Sequence, residues 1–150
     1  MVAHVLLGFM LVAGPVNVVY EAPVEKLFRA EESAISVVVR VKEPWFIYAL
    51  TEKNGARGLT GLSVEMDSSI AAQFLDPEYP AHFSSGDYDV YLSGITVVKI
   101  PFRVRPNSPQ GSQSLVGKVR FQACNQEMCL PPSNVDLSFP IEVSNRTNSQ

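Results

Sequence analysis

The sequence has few of the residues that mark several common classes of functional site. It contains 2 histidines and 2 cysteines in 150 residues, and its 12 basic residues are scattered without a Lys or Arg cluster. Nucleic-acid binding depends on clustered lysine and arginine contacts to phosphates. With a formal net charge of -3 as well, we expect no nucleic-acid partner.

Catalytic and nucleotide-binding templates are also missing. There is no Gly-x-Ser-x-Gly, no His-Glu-x-x-His and no glycine-rich phosphate loop. Two cysteines cannot build a framework of several disulfides, and 150 residues can bury a core without one. We therefore expect a globular domain with no cofactor and no bound metal.

The apolar run at residues 5–13 is too short to span a bilayer. It has the length of a signal-peptide core, but no Lys or Arg precedes it, and Pro15 blocks cleavage after Gly14. We predict a signal segment, complete or truncated, over residues 1–15, with a buried first strand as the alternative. A signal would place the domain in an oxidising compartment, where paired cysteines form or exchange disulfides.

Short segments with a period near two, separated by Gly and Pro, fill most of the remaining chain. Such a pattern predicts seven or eight strands in an all-β fold, an immunoglobulin-like antiparallel β-sandwich. We predict one domain over residues 16–143 and a flexible tail over 144–150. The predicted strands cover residues 34–42, 45–50, 62–66, 88–92, 95–104, 115–123 and 137–143.

Three other segments and one proline have their own predictions. Residues 68–75 have helical spacing and predict a short helix, whereas 51–61 is rich in glycine and predicts a turn-rich connection. Two prolines in residues 76–80 predict an ordered surface loop. Pro101, inside a predicted strand, indicates an edge position or a bulge.

Cys124 and Cys129 are separated by four residues and directly follow a strand-like run. A strand-turn-strand with its tip at 125–128 can hold two sulfurs at bridging distance. Closing so small a loop stabilises a fold by only about 2 kcal/mol, which favours a chemical role in thiol-disulfide exchange. Pro131 and Pro132 remove backbone donors beyond the second cysteine, which leaves that edge open to a partner.

Other interpretations of these residues stay open. The bridge can be a structural disulfide that fixes a β-turn, or the thiols can bind a soft ion such as Cu(I) with Met128 and His82. The aromatic residues Phe46 and Tyr48 fit either the core or the lining of the cysteine site. Tyr79 and Phe83 are loop anchors or a cover over the disulfide.

Residues 119–132 (Val-Arg-Phe-Gln-Ala-Cys-Asn-Gln-Glu-Met-Cys-Leu-Pro-Pro) resemble the V-x-Y-Q-x-C … C-Y-P-P signature of one family. This family is the N-terminal periplasmic domain of the thiol:disulfide interchange protein DsbD. Residues 44–51 are also similar to its G-W-H-I-Y-S strand, and the resemblance covers residues 16–143. Phe46 replaces the family's histidine, Leu130 replaces an aromatic residue, and the cysteine spacing is one shorter than in some members.

The resemblance implies an immunoglobulin-like domain, periplasmic or otherwise exported, that acts as a protein-disulfide reductase component. It would relay electrons from a membrane-embedded donor domain to thioredoxin-like or disulfide isomerase proteins. Cys129 would form the mixed disulfides and Cys124 would resolve them. A cap loop would contain Glu78 and Tyr79, or Phe83 in the aromatic role, and Phe46 and Tyr48 would lie beneath the hairpin. The competing function is a non-catalytic β-sandwich interaction module with a structural hairpin disulfide.

Overall fold

The computed structural model describes the backbone of residues 5–7 and 11–147 and the side chains of residues 14–144. Strands dominate this part of the chain, and a single short helix interrupts them. In chain order the elements are β1 (Val5–Leu7), β2 (Leu11–Ala13), β3 (Val16–Pro23), β4 (Lys26–Arg29), β5 (Glu32–Val41), β6 (Phe46–Tyr48), α1 (Glu52–Ala56), β7 (Ser63–Met66), β8 (Ala72–Phe74), β9 (Phe83–Ser85), β10 (Tyr88–Tyr91), β11 (Gly94–Val104), β12 (Gly111–Phe121), β13 (Ala123–Cys124) and β14 (Ser133–Thr147).

The strands form three sheets. The first has the order β1-β3-β5-β11-β8, with β2 also paired to β3, and the second has the order β4-β14-β12-β7. The third, which we call the cysteine sheet, has the order β13-β6-β10-β9. Neighbouring strands are antiparallel except β14 and β4, which are parallel. The fold is an immunoglobulin-like antiparallel β-sandwich, as the sequence predicts.

The long strands form because one side chain in two is apolar. Along β5, Ile35, Val37 and Val39 are completely buried, while the residues between them are partly exposed. The same alternation in β11 buries Val98 and Phe102. Such a period places one face of each strand in a shared core and favours β-branched residues. The first two sheets meet at the rings of Tyr20 and Phe139, whose centroids lie 5.7 Å apart.

The predicted helix at residues 68–75 is wrong, because β8 occupies part of this segment. The Ser69 hydroxyl oxygen accepts the N–H groups of Ala71 and Ala72, which closes a turn before the strand. β8 then pairs with the end of β11. The apolar residues do not share a buried helical face, since Ile70 is 72% exposed. Pairing with a distant strand therefore outweighs a weak local preference.

The predicted turn-rich connection at 51–61 contains α1. Its N-cap is Thr51, whose side chain accepts the N–H of Asn54.

Pro101 lies in β11, an interior strand, and its carbonyl accepts the N–H of Leu75. The next bonds on that side join Glu78 to Lys99. The backbone pairing of residues 75–78 with β11 is therefore interrupted at Pro101, because proline has no N–H to donate.

Both predicted terminal segments are described only in part. In the apolar run, β1 and β2 pair with β3, while residues 1–4 and 8–10 lie outside the described residues. The signal segment over residues 1–15 stays a prediction. At the other end, β14 continues to Thr147, so residues 144–147 of the predicted tail extend a strand. In the described ranges, no helix is long and apolar enough to cross a membrane.

Candidate redox site

A disulfide joins Cys124 to Cys129 across the tip of a hairpin. Cys124 ends β13, where it pairs with Phe46 of β6, and Cys129 returns alongside it in an antiparallel bridge. The two Cα atoms are 4.0 Å apart. Backbone bonds flank the pair, from Leu130 N–H to the Ala123 carbonyl at 2.9 Å and from Asn125 N–H to the Met128 carbonyl at 2.8 Å.

The tip is closed by its own sequence. The Asn125 side-chain oxygen accepts the N–H groups of Glu127 and Met128, each at 2.8 Å. Asparagine side chains commonly stabilise turns in this way because they replace a backbone acceptor. The four residues between the cysteines therefore form a turn that does not depend on the sulfur-sulfur bond alone.

The two cysteines differ in exposure. Cys124 is 1% exposed and belongs to a small cluster with Tyr48 and Val90, against which Phe46 and Leu59 pack. Cys129 is exposed at the tip. A second protein can therefore reach Cys129, whereas Cys124 is covered by its neighbours. This asymmetry matches what sequential thiol-disulfide exchange requires, because the attacking sulfur must have access.

The cysteine sheet uses its two faces differently. Pairing of Cys124 with Phe46, and of Val90 with Tyr48, places these four side chains on one face. The opposite face contributes to the main core of the sandwich. Its residues are Ile47, Tyr91 and Ala123.

The Tyr48 side chain brings a hydroxyl group close to the Cys129 sulfur. Its hydroxyl oxygen lies 3.9 Å from the Cys129 Sγ, and its ring contacts those of Phe46 and Tyr88 at centroid distances of 5.7 and 5.9 Å. Burial and, secondly, the nearby Tyr88 hydroxyl raise the pKa of Tyr48 above its ordinary value of 10.0. The hydroxyl therefore stays protonated across the physiological range and is available as a donor to the sulfur.

The segment 51–61 is fastened to the cysteine sheet by a buried asparagine. The Asn54 amide nitrogen donates to the carbonyls of Ala49 and Asp89, at 2.8 and 2.7 Å, and its oxygen accepts the Asp89 N–H at 3.1 Å. At its end, a Cβ on Gly61 would lie 2.5 Å from the Leu50 Cα, so only glycine permits this approach. The segment thereby brings Leu59 against the cysteine cluster.

Charged groups add to this attachment. Lys53 Nζ lies 3.0 Å from the Asp89 carboxylate and 3.2 Å from the Ser84 hydroxyl, so it joins α1 to both β9 and β10. The Lys53 hydrogen bond holds the pKa of the Asp89 carboxyl below its ordinary value of 3.8, against the opposing effect of burial. Arg57 lies 5.4 Å from the centre of the Tyr88 ring, a cation-π arrangement beside the cysteine cluster.

The predicted cap residues have other contacts. Glu78 forms a backbone bridge with Lys99, and the Tyr79 hydroxyl accepts the Val64 N–H at 3.0 Å while its ring packs on the main core. Phe83 is 56% exposed on β9, at the opposite edge of the cysteine sheet from β13. Three strand spacings separate these edges, about 14 Å. The cap role of Glu78, Tyr79 and Phe83 stays a prediction.

Some residues of the site are absent from the sequence-based prediction. Tyr88, Val90 and Leu59 surround Cys124 or Tyr48. Alternation within the predicted strand at 88–92 puts Tyr88 and Val90 on one face, which is a usable signal. Nothing local in the sequence connects Leu59 with the cysteines.

In the described part of the chain, no three His, Cys, Asp or Glu side chains are grouped as metal ligands. His82 lies 3.7 Å from Asp89.

Comparisons with known proteins show that solved structures have a fold similar to that of this chain. No protein-family model matches the sequence, and no curated protein matches it. The N-terminal periplasmic domain of ScsB from Proteus mirabilis is similar in structure, with a TM-score of 0.52, 14% identity, and coverage of 89% of this chain and 49% of that one. The reduced DsbD N-terminal domain from Neisseria meningitidis gives a TM-score of 0.43, 15% identity, and coverage of 76% of this chain and 80% of that one. This chain thus spans about half the length of the ScsB chain, and the fold implied by the sequence resemblance is confirmed.

Proposed function

We propose that this domain is a thiol-disulfide relay in a periplasmic or otherwise exported compartment. Its Cys124/Cys129 pair would pass electrons between a membrane-embedded donor domain and thioredoxin-like or disulfide isomerase proteins. One observation carries the proposal: the bridge at the hairpin tip joins an exposed cysteine to a buried one. The sequence motif and the fold of a periplasmic ScsB domain support the same assignment.

The pair is reduced in two steps. A thiolate of the donor attacks the exposed Cys129 Sγ, so a donor-Cys129 disulfide forms, the Cys124-Cys129 bond breaks and the Cys124 sulfur takes up a proton. A second donor thiolate then attacks the donor sulfur of this mixed disulfide and displaces Cys129. The donor has lost two electrons and now holds a disulfide, and both cysteines of this domain are reduced.

Delivery to the acceptor reverses these roles. The Cys129 thiolate attacks the acceptor disulfide and one acceptor sulfur leaves. Cys124, deprotonated as it reacts, then attacks Cys129 Sγ, closes the bridge and releases the second acceptor sulfur. Negative charge is more costly at buried Cys124 than at exposed Cys129, and the Tyr48 hydroxyl is placed to donate to Cys129. Cys129 is therefore the attacking sulfur.

Equilibration with a thiol-disulfide buffer tests the proposal against a structural bridge. Structural disulfides have reduction potentials below about -300 mV. We expect the Cys124/Cys129 pair to lie above about -300 mV and to be reduced by thioredoxin. A lower potential, together with resistance to reduced thioredoxin, would favour the non-catalytic interaction module.

Trapping experiments test the two cysteines separately. Each variant is mixed with a thioredoxin that retains one active-site cysteine, which is first activated as a mixed disulfide with thionitrobenzoate. In the Cys124→Ser variant, the Cys129 thiolate should displace thionitrobenzoate and leave a stable thioredoxin-Cys129 disulfide, because no resolving sulfur remains. The matched Cys129→Ser variant should accumulate little, because Cys124 is 1% exposed. Equal trapping by both variants would contradict the assigned roles.

A further inference from the structure

Gln122 lies where the chain passes from one sheet to another. It is the single residue between β12, in the second sheet, and β13, in the cysteine sheet. Ala123 and Cys124 follow it, so the Gln122 backbone belongs to the hairpin arm that carries the buried cysteine. Its side chain bonds to two other segments.

The Gln122 side-chain amide joins the opposite arm of the hairpin to segment 51–61. Its nitrogen donates to the Leu130 carbonyl at 3.4 Å, and its oxygen accepts the Thr60 N–H at 3.2 Å. A backbone N–H can bond only to the amide oxygen, so the Thr60 contact turns the nitrogen towards Leu130. The orientation of the amide group is therefore fixed by its own contacts.

The Leu130 carbonyl depends on this side chain. Leu130 directly follows Cys129 and donates its own N–H to the Ala123 carbonyl. In a regular antiparallel pair, the Ala123 N–H would return a bond to the Leu130 carbonyl. Among the described residues, no backbone N–H does so, and the Gln122 amide takes its place. One of the two bonds that join the arms at this level thus comes from Gln122.

Closure of the bridge depends on how the two arms are held while the sulfur-sulfur bond is absent. In the last step of delivery to an acceptor, Cys124 must reach the Cys129 Sγ. Such an intramolecular step is faster when the reacting groups are already in position. Cys124 is fixed by burial, whereas Cys129 is exposed at the tip. The position of the Cys129 arm therefore has the greater influence on closure.

We propose that Gln122 is a positioning residue for ring closure. By holding the Leu130 carbonyl, its amide keeps Cys129 opposite Cys124 after the bridge opens, so that Cys124 can displace a bound partner sulfur from Cys129. This inference rests on the proposed relay function and concerns its resolving step. Gln122 acts through the backbone of Leu130 and not on the reacting sulfurs.

Stopped-flow kinetics with the disulfide of thionitrobenzoate separates the two steps. The Cys129 thiolate of the reduced domain attacks this reagent, so a Cys129-thionitrobenzoate disulfide forms and one thionitrobenzoate thiolate leaves. Cys124 then loses its proton and attacks the Cys129 Sγ, which closes the bridge and releases the second thionitrobenzoate. The rate of the first release depends on the reagent concentration, and that of the second does not.

Gln122→Met removes both hydrogen bonds and keeps a side chain of similar length. We expect an unchanged first release and a second release about three- to tenfold slower, the effect of one lost hydrogen bond. The ratio of oxidised to reduced pair in a dithiothreitol buffer should fall by about the same factor, so the reduction potential rises by about 14 to 30 mV. Gln113→Met is the matched control and should change neither step. It also loses a side-chain bond, to the Gln110 carbonyl, but near the other end of β12.

Gln122→Glu tests which of the two contacts positions the arm. A glutamate oxygen can still accept the Thr60 N–H, but a carboxylate has no donor for the Leu130 carbonyl. The second release should therefore slow at least as much as in Gln122→Met. The rate is measured across pH, because a carboxylate that raises the pKa of a nearby thiol shifts the profile, whereas lost positioning lowers its plateau. A Glu variant that closes as fast as the parent would overturn the inference.

The outcomes for the inference and for the relay are distinct. Urea denaturation of the oxidised variants first establishes that they are folded. An unchanged second release in Gln122→Met, or equal slowing of both releases, would overturn the positioning role and leave the relay intact. Failure of thioredoxin to reduce the parent protein, with normal release of thionitrobenzoate, would overturn the relay function alone.

Discussion

The two large sheets and the cysteine sheet are stabilised by different interactions. The main strands β3, β5, β11, β12 and β14 have 8 to 15 residues and bury a continuous apolar core. The strands of the cysteine sheet have 2 to 4 residues, and side-chain hydrogen bonds from segment 51–61 fasten them. The apolar core thus stabilises the two large sheets, while the proposed redox site lies in the region that segment 51–61 holds in place. The following predictions test this division, from the largest expected effect to the smallest.

Phe139→Ala in the main core should lower the free energy of unfolding by about 3 to 5 kcal/mol, because it removes a fully buried ring. Urea denaturation measures this change. Phe139→Leu is the control and should cost much less. In conditions where the variant is folded, the rate at which Cys129 reacts with a small thiol should not change. A large change in that rate would show that the two regions are coupled.

Asn54→Ala should lower the free energy of unfolding by about 2 to 3 kcal/mol, because three buried hydrogen bonds are lost. It should also speed reaction of the disulfide with reductant, since Leu59 no longer covers Cys124 firmly. Asn17→Ala is the matched control. The buried side-chain oxygen of Asn17 has no hydrogen-bond partner among the residues that the structure describes, so its loss should be nearly neutral. Similar costs for both variants would contradict this account of segment 51–61.

Reduction of the Cys124-Cys129 bridge should lower the free energy of unfolding by about 2 kcal/mol, the chain-entropy value for so small a loop. Urea denaturation with and without dithiothreitol gives this difference. A loss as large as that from Phe139→Ala would mean that the bridge mainly supports the fold. The Cys124→Ser, Cys129→Ser double variant provides a control without the reductant.

Tyr48→Phe should slow the attack of reduced Cys129 on an external disulfide about three- to tenfold, since one donor to the thiolate is removed. Stopped-flow kinetics with a chromogenic disulfide measures this rate across pH. Tyr88→Phe is the control, because its ring contacts Tyr48 while no hydrogen bond joins Tyr88 to the sulfur in the described residues. Equal slowing by both variants would argue against a specific role of the Tyr48 hydroxyl.

Asp89→Asn should change how the free energy of unfolding depends on pH, because Asp89 joins α1 to the cysteine sheet. Because the pKa of Asp89 is lowered on folding, its contribution is complete above its ordinary value of 3.8 and is lost as the pH falls through the folded value. The variant should therefore be less stable than the parent at neutral pH, and the difference should shrink in acid. Asp136→Asn, on the exposed face of β14, is the control for loss of a carboxylate.

The sequence predicts β5, β11 and β12 well because their pattern is local, whereas β3 (Val16–Pro23) was not among the predicted strands. In β5 and β12, apolar residues recur at every second position for most of the strand, and burial follows that period. The helix prediction for residues 68–75 is wrong because their spacing fits both a helix and a strand. Pairing with β11, which is distant in sequence, favours the strand. α1 was missed because its five residues are too few for a helical period.

The candidate site likewise has features that the sequence could predict and features that it could not. The hairpin of Cys124 and Cys129 was predictable because its turn residues lie between the two cysteines. The burial of Cys124 was not, since Leu59 and Val90 come from distant parts of the chain. The contact of the Tyr79 hydroxyl with the Val64 N–H was not predictable either, because it depends on tertiary packing that a short sequence does not specify.

The turn closed by Asn125 has a consequence for how the redox state is signalled. Four hydrogen bonds hold the tip in addition to the bridge, two to the Asn125 side chain and two between backbone groups. We expect all four to remain when the bridge is broken, so that the oxidised and reduced forms have nearly the same backbone at the tip. In the proposed relay, a partner would then dissociate because the mixed disulfide has been resolved, without a conformational change at the tip.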